Sequence, residues 1–399
     1  MSRDVSPDAA SAGVGRWRLP PALSTGPWNA DASGVTVVTL LLVLLGLLMS
    51  FSASFVDAAE AGNPFGVFLR QGVWATIGLA GFVVAANLDP RVWRRLAWPL
   101  MGMAVVGLVL VLVDGVGISR FGSTRWLGIG PFVFQPSELA KLATLLWLAD
   151  ILERKRPRDG SLHATDHLLV PALPVLLGLA TLVLLQPDLG TTILLGLIVG
   201  AVLWVEGLPA RFVAMLGAIA VAAVAVLAVV APYRLARVTG WLDPEADPLD
   251  GGFQLLQSRF ALGSGGVFGV GLGSSRGKWN FIPNPDTDFI FAIIGEELGL
   301  LGAAGVLALF GALLYLGLRI AYAAPQGFGR TVAFAITAWL VGQALVNIGA
   351  VIGLLPITGV TLPLVSVGGS SLVSTLVALG ILVGIARHAP ASTSRGGTA

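Results

Sequence analysis

Two pairs of acidic residues stand close together late in the chain. Asp286 and Asp288 lie in PNPDTDFIF, and Glu296 and Glu297 lie in IGEELG. A carboxylate half-buried beside Phe289 and Phe291 has its pKa raised by desolvation. A carboxylate so raised suits a general base working near neutral pH. The architectural alternative is that Asp288 caps a helix while the two glutamates pair with neighbouring helices. Upstream, Arg125-Trp126 is followed by Gln135-Pro136-Ser137-Glu138 and Lys141. Pro136 can open a helix at its first turn. Glu138 and Lys141, three residues apart, share a helix face and can pair; the pair either anchors the helix or borders a polar cavity. Gln186-Pro187-Asp188 runs directly into Leu189-Gly190-Thr191. Asp188 either caps that helix through its first amides or joins a site.

Two glycine-rich stretches complete the set. Residues 263–278, GSGGVFGVGLGSSRGK, match neither the dinucleotide nor the P-loop spacing. Val267, Phe268, Val270 and Leu272 are expected to dip into the membrane interface, with Arg276 and Lys278 available to a lipid phosphate. Residues 347–371 are interrupted by Pro356, Gly359, Pro363, Gly368 and Gly369. Broken backbone at membrane depth must be buried in protein or line a polar cavity. The chain has no cysteine, and His163, His167 and His388 lie outside the apolar runs, which argues against thiolate chemistry and a zinc site. Asp286 and Asp288 offer oxygen ligands, which suit Mg²⁺ or Mn²⁺.

The elements that must position these groups follow from composition. The 399 residues are 55% hydrophobic and only 12% charged, about half the charge of an average soluble domain. A water-soluble chain of this size would expose large apolar patches, so the solvent for most of it is lipid. Windows of about 20 apolar residues fall at 34–56, 67–88, 96–114, 137–153, 168–186, 190–206, 209–232, 289–318, 331–354 and 370–386. The expected fold is an all-α polytopic membrane protein with ten transmembrane helices. Residues 1–33 lack the apolar core of a signal peptide and read as a disordered cytoplasmic tail; 387–399 form a short second tail. The excess of Lys and Arg in alternate connections, led by Arg91, Arg94, Arg95 and the ERKRPRDG run at 153–160, places both termini in the cytoplasm. The segment 115–136 and a large loop at 233–288, between spans 7 and 8, then lie outside. Loops this long are usually functional. The net charge of +2 gives no reason to expect nucleic acid.

Taken together, RW…FQPSELAK, QPDLGT, FQLLQS…GSGGVFGVGLG, TDFIFAIIGEELG and NIGAVIGLLPITGVTLPLVSVGGSS, in this order from about residue 34 to 386, resemble the SEDS family (shape, elongation, division and sporulation), which includes the FtsW and RodA proteins of bacterial cell-wall synthesis. IGEELG and the 33-residue N-terminal tail resemble the FtsW branch, since RodA-type sequences more often read AEE there. Two departures stand out. Asp286 occupies a position where the family commonly has His, adding negative charge beside the key aspartate. Val367 stands where the family often has Tyr in SYGGSS.

The resemblance implies a peptidoglycan glycosyltransferase that polymerises lipid II, a disaccharide-pentapeptide on undecaprenyl pyrophosphate, at the outer face of the cytoplasmic membrane. It makes Asp288 the catalytic residue. It puts Arg125, Gln135, Glu138, Lys141 and Asp188 around the central cavity. Ser370 is a further candidate for the cavity, and Arg125 and Lys141, with Arg259, Arg276 or Lys278, are the candidates to hold the pyrophosphates. It also implies a class B penicillin-binding protein as partner, together with other division proteins at the septum. A lipid II flippase, an elongation polymerase of the RodA type and a non-catalytic scaffold are the competing readings.

Overall fold

The computed structural model of the protein describes residues 26–60, 62–120, 123–129, 132–155, 164–230, 232–249, 252–283 and 285–388. The expected tails lie largely outside this range, as do Arg156 and Arg158 of the basic run. The chain is mainly helical: α1 (Ala30–Glu60), α2 (Gly66–Asn87), α3 (Pro90–Val111), α4 (Pro136–Lys155), α5 (Ala164–Leu184), α6 (Leu189–Val205), α7 (Ala210–Val230), α8 (Pro232–Leu242), α9 (Phe253–Gly265), α10 (Ile290–Ala323), α11 (Phe328–Val351) and α12 (Gly369–His388). Among the described residues, α1, α2, α3, α10, α11 and α12 are long and apolar enough to cross a membrane, and α5, α6 and α7 contain shorter apolar stretches. α1 begins at Ala30, earlier than expected, because the Asn29 side chain accepts a hydrogen bond from Ala32 N at 2.8 Å and so caps the helix.

The expectation of an all-α chain is corrected by three short strands, β1 (Gly117–Arg120), β2 (Ser123–Ile129) and β3 (Phe132–Phe134), which form one antiparallel sheet in the order β1-β2-β3. They fall in the segment 115–136 that reads as a loop, since strands of three to seven residues carry too little period-2 pattern to stand out. The long loop at 233–288 likewise holds α8, α9 and a π turn at Gly277–Phe281.

α4 is the buried centre. It packs on α3, α5, α6, α11 and α12, and it carries Glu138, Lys141, Asp150 and most of its apolar side chains inside the protein. α2 and α12 pack side by side, and a Cβ on Gly380 would lie 2.4 Å from Phe82 O, so only glycine permits that approach. Polar groups gather at the two ends of the bundle. At one end Arg94 bonds Asp150 at 2.7 Å and Glu153 at 3.1 Å, Glu153 accepts from Phe328 N at 2.9 Å, and Arg319 pairs with Asp31 at 3.2 Å. The sheet, α8, α9 and the segment after α11 lie at the other.

α10 is broken at Gly299, which has φ 69° and ψ −164°. Two rungs of its hydrogen-bond ladder pass to the glycine-rich loop. Glu296 O and Glu297 O accept from Val270 N at 2.9 Å and Gly271 N at 3.1 Å, while Leu300 N and Leu301 N donate to Gly266 O at 2.9 Å and Val267 O at 3.3 Å. The loop is thus spliced into a helix, and Phe268 beside it is 81% exposed. A Cβ on Gly299 would sit 2.4 Å from Gly269 N and 2.5 Å from Val267 O, backbone atoms that cannot yield. Gly299→Ala is expected to destabilise the detergent-solubilised protein by about 3 kcal/mol, the strain of a disallowed backbone plus the clash. Gly305→Ala, on the same helix with open space around it, should leave the melting temperature unchanged.

Candidate active site at the loop-bearing end

Asp288 lies in the turn leading into α10. Phe289 holds the N-cap position of that helix, with no side-chain cap, so Asp288 does not serve as its cap. The residue is half-buried, and its Oδ2 lies 3.6 Å from the place a Cβ on Gly359 would take. Desolvation pushes its carboxyl up to about 6; Arg237 and Arg125 pull against the rise, whereas Asp286 and Asp188 add to it. A carboxyl raised to about 6 is mostly deprotonated at neutral pH yet still basic enough to take a proton.

β2 delivers Arg125 to the α5–α6 junction. Its Nε donates to Gln186 O at 3.2 Å, a second guanidinium nitrogen donates to Pro187 O, and Nη1 lies 3.7 Å from Asp188 Oδ1. Asp188 caps α6 by accepting from Thr191 N at 3.0 Å, and the same carboxylate is the one that lies against Arg125. Gln135 Nε2 donates to Asp188 Oδ2 at 3.3 Å and to Ser137 Oγ at 3.0 Å, and Gln135 N donates to Ser370 Oγ at 3.3 Å. Arg125, Gln135, Asp188 and Ser370 therefore form one hydrogen-bonded patch drawn from β2, the residue before α4, the N-cap of α6 and the first turn of α12.

Further along α4, Lys141 Nζ bonds Glu138 Oε1 at 2.9 Å and Gln343 Oε1 at 3.1 Å and lies over the Trp339 ring, 5.2 Å from its centroid. Gln343 Nε2 donates to Thr361 O at 2.9 Å, tying the pair to the segment after α11.

The remaining candidates lie apart from this patch. Glu296 accepts from Ser275 Oγ at 2.5 Å, Arg276 N at 2.9 Å and Gly277 N at 3.2 Å. Glu297 accepts from Ser52 Oγ at 2.7 Å and pairs with Lys278 at 3.6 Å; Lys278 also donates to Gly273 O. These glutamates are the anchors of the spliced loop, and Lys278 is buried with them. The Arg276 side chain is exposed, and Arg259 lies on α9 against Gly353. Sequence reasoning singles out neither Arg237 nor Gln71, Trp339 and Gln343. The two glutamines are findable, since isolated polar residues in apolar spans are functional hypotheses; Arg237 sits in an ordinary amphipathic segment.

Among the described residues no group of three or more His, Asp or Glu side chains gathers to hold a metal ion.

A family model described as cell cycle protein, FtsW/RodA/SpoVE, matches residues 33–391. The chain is 46% identical over 358 residues to the probable peptidoglycan glycosyltransferase FtsW of Mycobacterium tuberculosis, covering 89% of this chain and 68% of that one. It is 42% identical to stage V sporulation protein E of Bacillus subtilis, covering 89% and 96%. Among solved structures, a chain of a peptidoglycan synthase complex that coordinates polymerization and crosslinking superposes with a TM-score of 0.72 at 35% identity, covering 91% of this chain and 99% of that one. The rod shape determining protein RodA of Thermus thermophilus gives 0.67 at 31%, covering 91% and 98%.

Proposed function

The chain belongs to the FtsW/RodA/SpoVE family of cell cycle proteins, and from that premise we propose that it is a peptidoglycan glycosyltransferase that polymerises lipid II. The observation that carries the reading is Asp288, a half-buried carboxylate in the turn before α10, beside Gly359 and within the field of Arg237 and Arg125. As general base Asp288 takes the proton of the acceptor GlcNAc 4-hydroxyl. The freed oxygen attacks the donor anomeric carbon as the bond to the pyrophosphate breaks, and the configuration inverts. Arg125 and Arg237 stabilise the charge that develops on the departing pyrophosphate. Such stabilisation is usually the largest single contribution to catalysis. A Mg²⁺ or Mn²⁺ held by Asp286 and Asp288 would share that load.

As an integral membrane protein, the chain is placed in the bacterial cytoplasmic membrane as ten spans, both termini in the cytoplasm and the loop-bearing end outside, where lipid II is polymerised. Its role is septal synthesis in division, together with a class B penicillin-binding protein that crosslinks the product and with other division proteins. The 46% identity to an FtsW protein supports the division role over the elongation one.

The test is polymerisation of lipid II by the purified protein, scored by glycan chain length, with Mg²⁺, with Mn²⁺ and with chelator, and with and without the penicillin-binding protein. Arg125→Ala is expected to lower the rate about 10²–10³-fold, the effect of removing one donor that faces developing charge. Translocation of lipid II across proteoliposomes without polymer would establish the flippase reading instead.

A further inference from the structure

Three successive carbonyl groups lead to the Asp288 side chain, and each is held by a different donor. Val367 N donates to Asp286 O at 2.9 Å, Ser366 Oγ to Thr287 O at 2.6 Å, and Asn347 Nδ2 to Asp288 O at 2.8 Å. The donors come from α11 and from the segment that joins α11 to α12. Asn347 Nδ2 also donates to Val360 O at 2.7 Å, so one amide joins the aspartate turn to the far side of that segment. Two carbonyl acceptors fix which end of the amide faces them. Asn347 Oδ1 is buried with no hydrogen-bond partner among the described residues, which costs stability. Packing alone would favour an apolar side chain there; the two donated bonds are what require the amide.

Ser366 is a second junction. Its hydroxyl accepts from Leu362 N at 2.8 Å while it donates to Thr287 O. Within the same segment Leu364 has φ 66° and is buried, a conformation a side chain holds only where its surroundings over-determine it. Gln71 braces the segment from behind. It reaches from α2, 3% exposed; its Nε2 donates to Ser366 O at 3.4 Å and its Oε1 accepts from Gly368 N at 3.3 Å. Gln71 therefore touches the two residues that flank Val367, the donor to Asp286 O.

We propose that Ser366, Asn347 and Gln71 are positioning residues that set where the Asp288 carboxylate stands relative to the Arg125 patch. The proposal rests on Asp288 being the base. Every bond in the set ends on the backbone of residues 286–288 or on the segment that holds it. Displacement of a reacting group by about 1 Å can lower a rate 10²-fold, so loosening this rack should act on turnover and leave substrate affinity alone.

The experiment compares Ser366→Ala, Ser366→Thr and Gln71→Leu with Asp288→Asn in the full-length protein, measuring kcat and KM for lipid II and the melting temperature of each. Ser366→Ala is expected to lower kcat about 10–100-fold with KM within about two-fold of wild type, together with a modest fall in melting temperature as Leu362 N and Thr287 O lose their partner. Ser366→Thr, which keeps the hydroxyl, should retain most of kcat. Gln71→Leu, close in shape and without the amide, should show a smaller loss, again confined to kcat. Normal kcat in Ser366→Ala, equal losses in Ser366→Ala and Ser366→Thr, a loss that falls on KM, or kcat losses that merely follow the melting temperatures of the three variants would each overturn the proposal. Asp288→Asn separates the two levels. If it is inactive while Ser366→Ala is normal, positioning alone is wrong. If it turns over normally, the base assignment has failed and the rack has nothing to position.

Discussion

Asp288→Asn is expected to lower lipid II polymerisation roughly 10²–10⁴-fold, the usual cost of losing a general base, in a protein at least as stable as wild type above pH 6. The two halves of this result come from one cause. Burial raises the Asp288 carboxyl from its ordinary 3.8 to about 6, so the folded state holds the proton more tightly than the unfolded chain. The stability that goes with the raised pKa is fully present below about pH 4 and is lost as pH rises through 6. Asn carries no charge to bury, so above pH 6 the variant escapes a penalty that the wild type bears. Activity runs the other way. The base works only when deprotonated, so the wild-type rate should climb with pH through about 6 and level off above 7. Rate–pH profiles and melting curves at pH 5 and pH 8 check both halves. An Asp288→Asn enzyme with near-normal turnover would remove Asp288 as the base.

Scarcity of charge is what makes Asp288 stand out in the sequence. In a chain that is 12% charged, an ionisable group next to an apolar span is conspicuous, and the motifs around Arg125, Glu138, Asp188 and Asp288 are legible for that reason. Which acids do which work is not legible. Asp286, Asp288, Glu296 and Glu297 lie within one short stretch, yet Glu296 and Glu297 anchor the spliced loop through Ser275, Ser52 and Lys278, while Asp288 stays outside that network, in the field of Arg237 and Arg125. Only the break at Gly299 and the return of residues 266–271 to α10 divide the two pairs, and a hydrogen-bond ladder handed from a helix to a loop has no periodicity for a sequence to display. The sheet is hidden for a related reason: it is too short to pattern, yet it is what brings Arg125 to Asp188.

The Glu138–Lys141 pair shows where charge scarcity acts on stability more than on chemistry. Lys141→Met is expected to destabilise the protein by about 3–5 kcal/mol, the cost of removing one partner from a buried ion pair. Lys141 is 1% exposed and Glu138 5%, so no solvent is at hand to replace the ammonium. Glu138 Oε2 already lacks a hydrogen-bond partner among the described residues, and Gln343 Oε1 would keep only the Trp339 Nε1 bond at 2.9 Å. The double variant Glu138→Gln/Lys141→Met removes both charges at once and should recover most of the loss, because a buried pair is often no more stabilising than neutral groups of similar volume. Unfolding of the two single variants and the double variant in detergent gives the coupling directly; a loss below about 1 kcal/mol in Lys141→Met would mean that the pair behaves as an exposed one. The double variant also separates architecture from catalysis. If it folds like wild type and polymerises lipid II at a normal rate, the pair serves only to seat α4 against α11, and the chemistry belongs to the patch around Asp288. If it folds but does not polymerise, the Lys141 ammonium acts on substrate from the floor of the same site, and the positive charge facing pyrophosphate extends from Arg125 down α4.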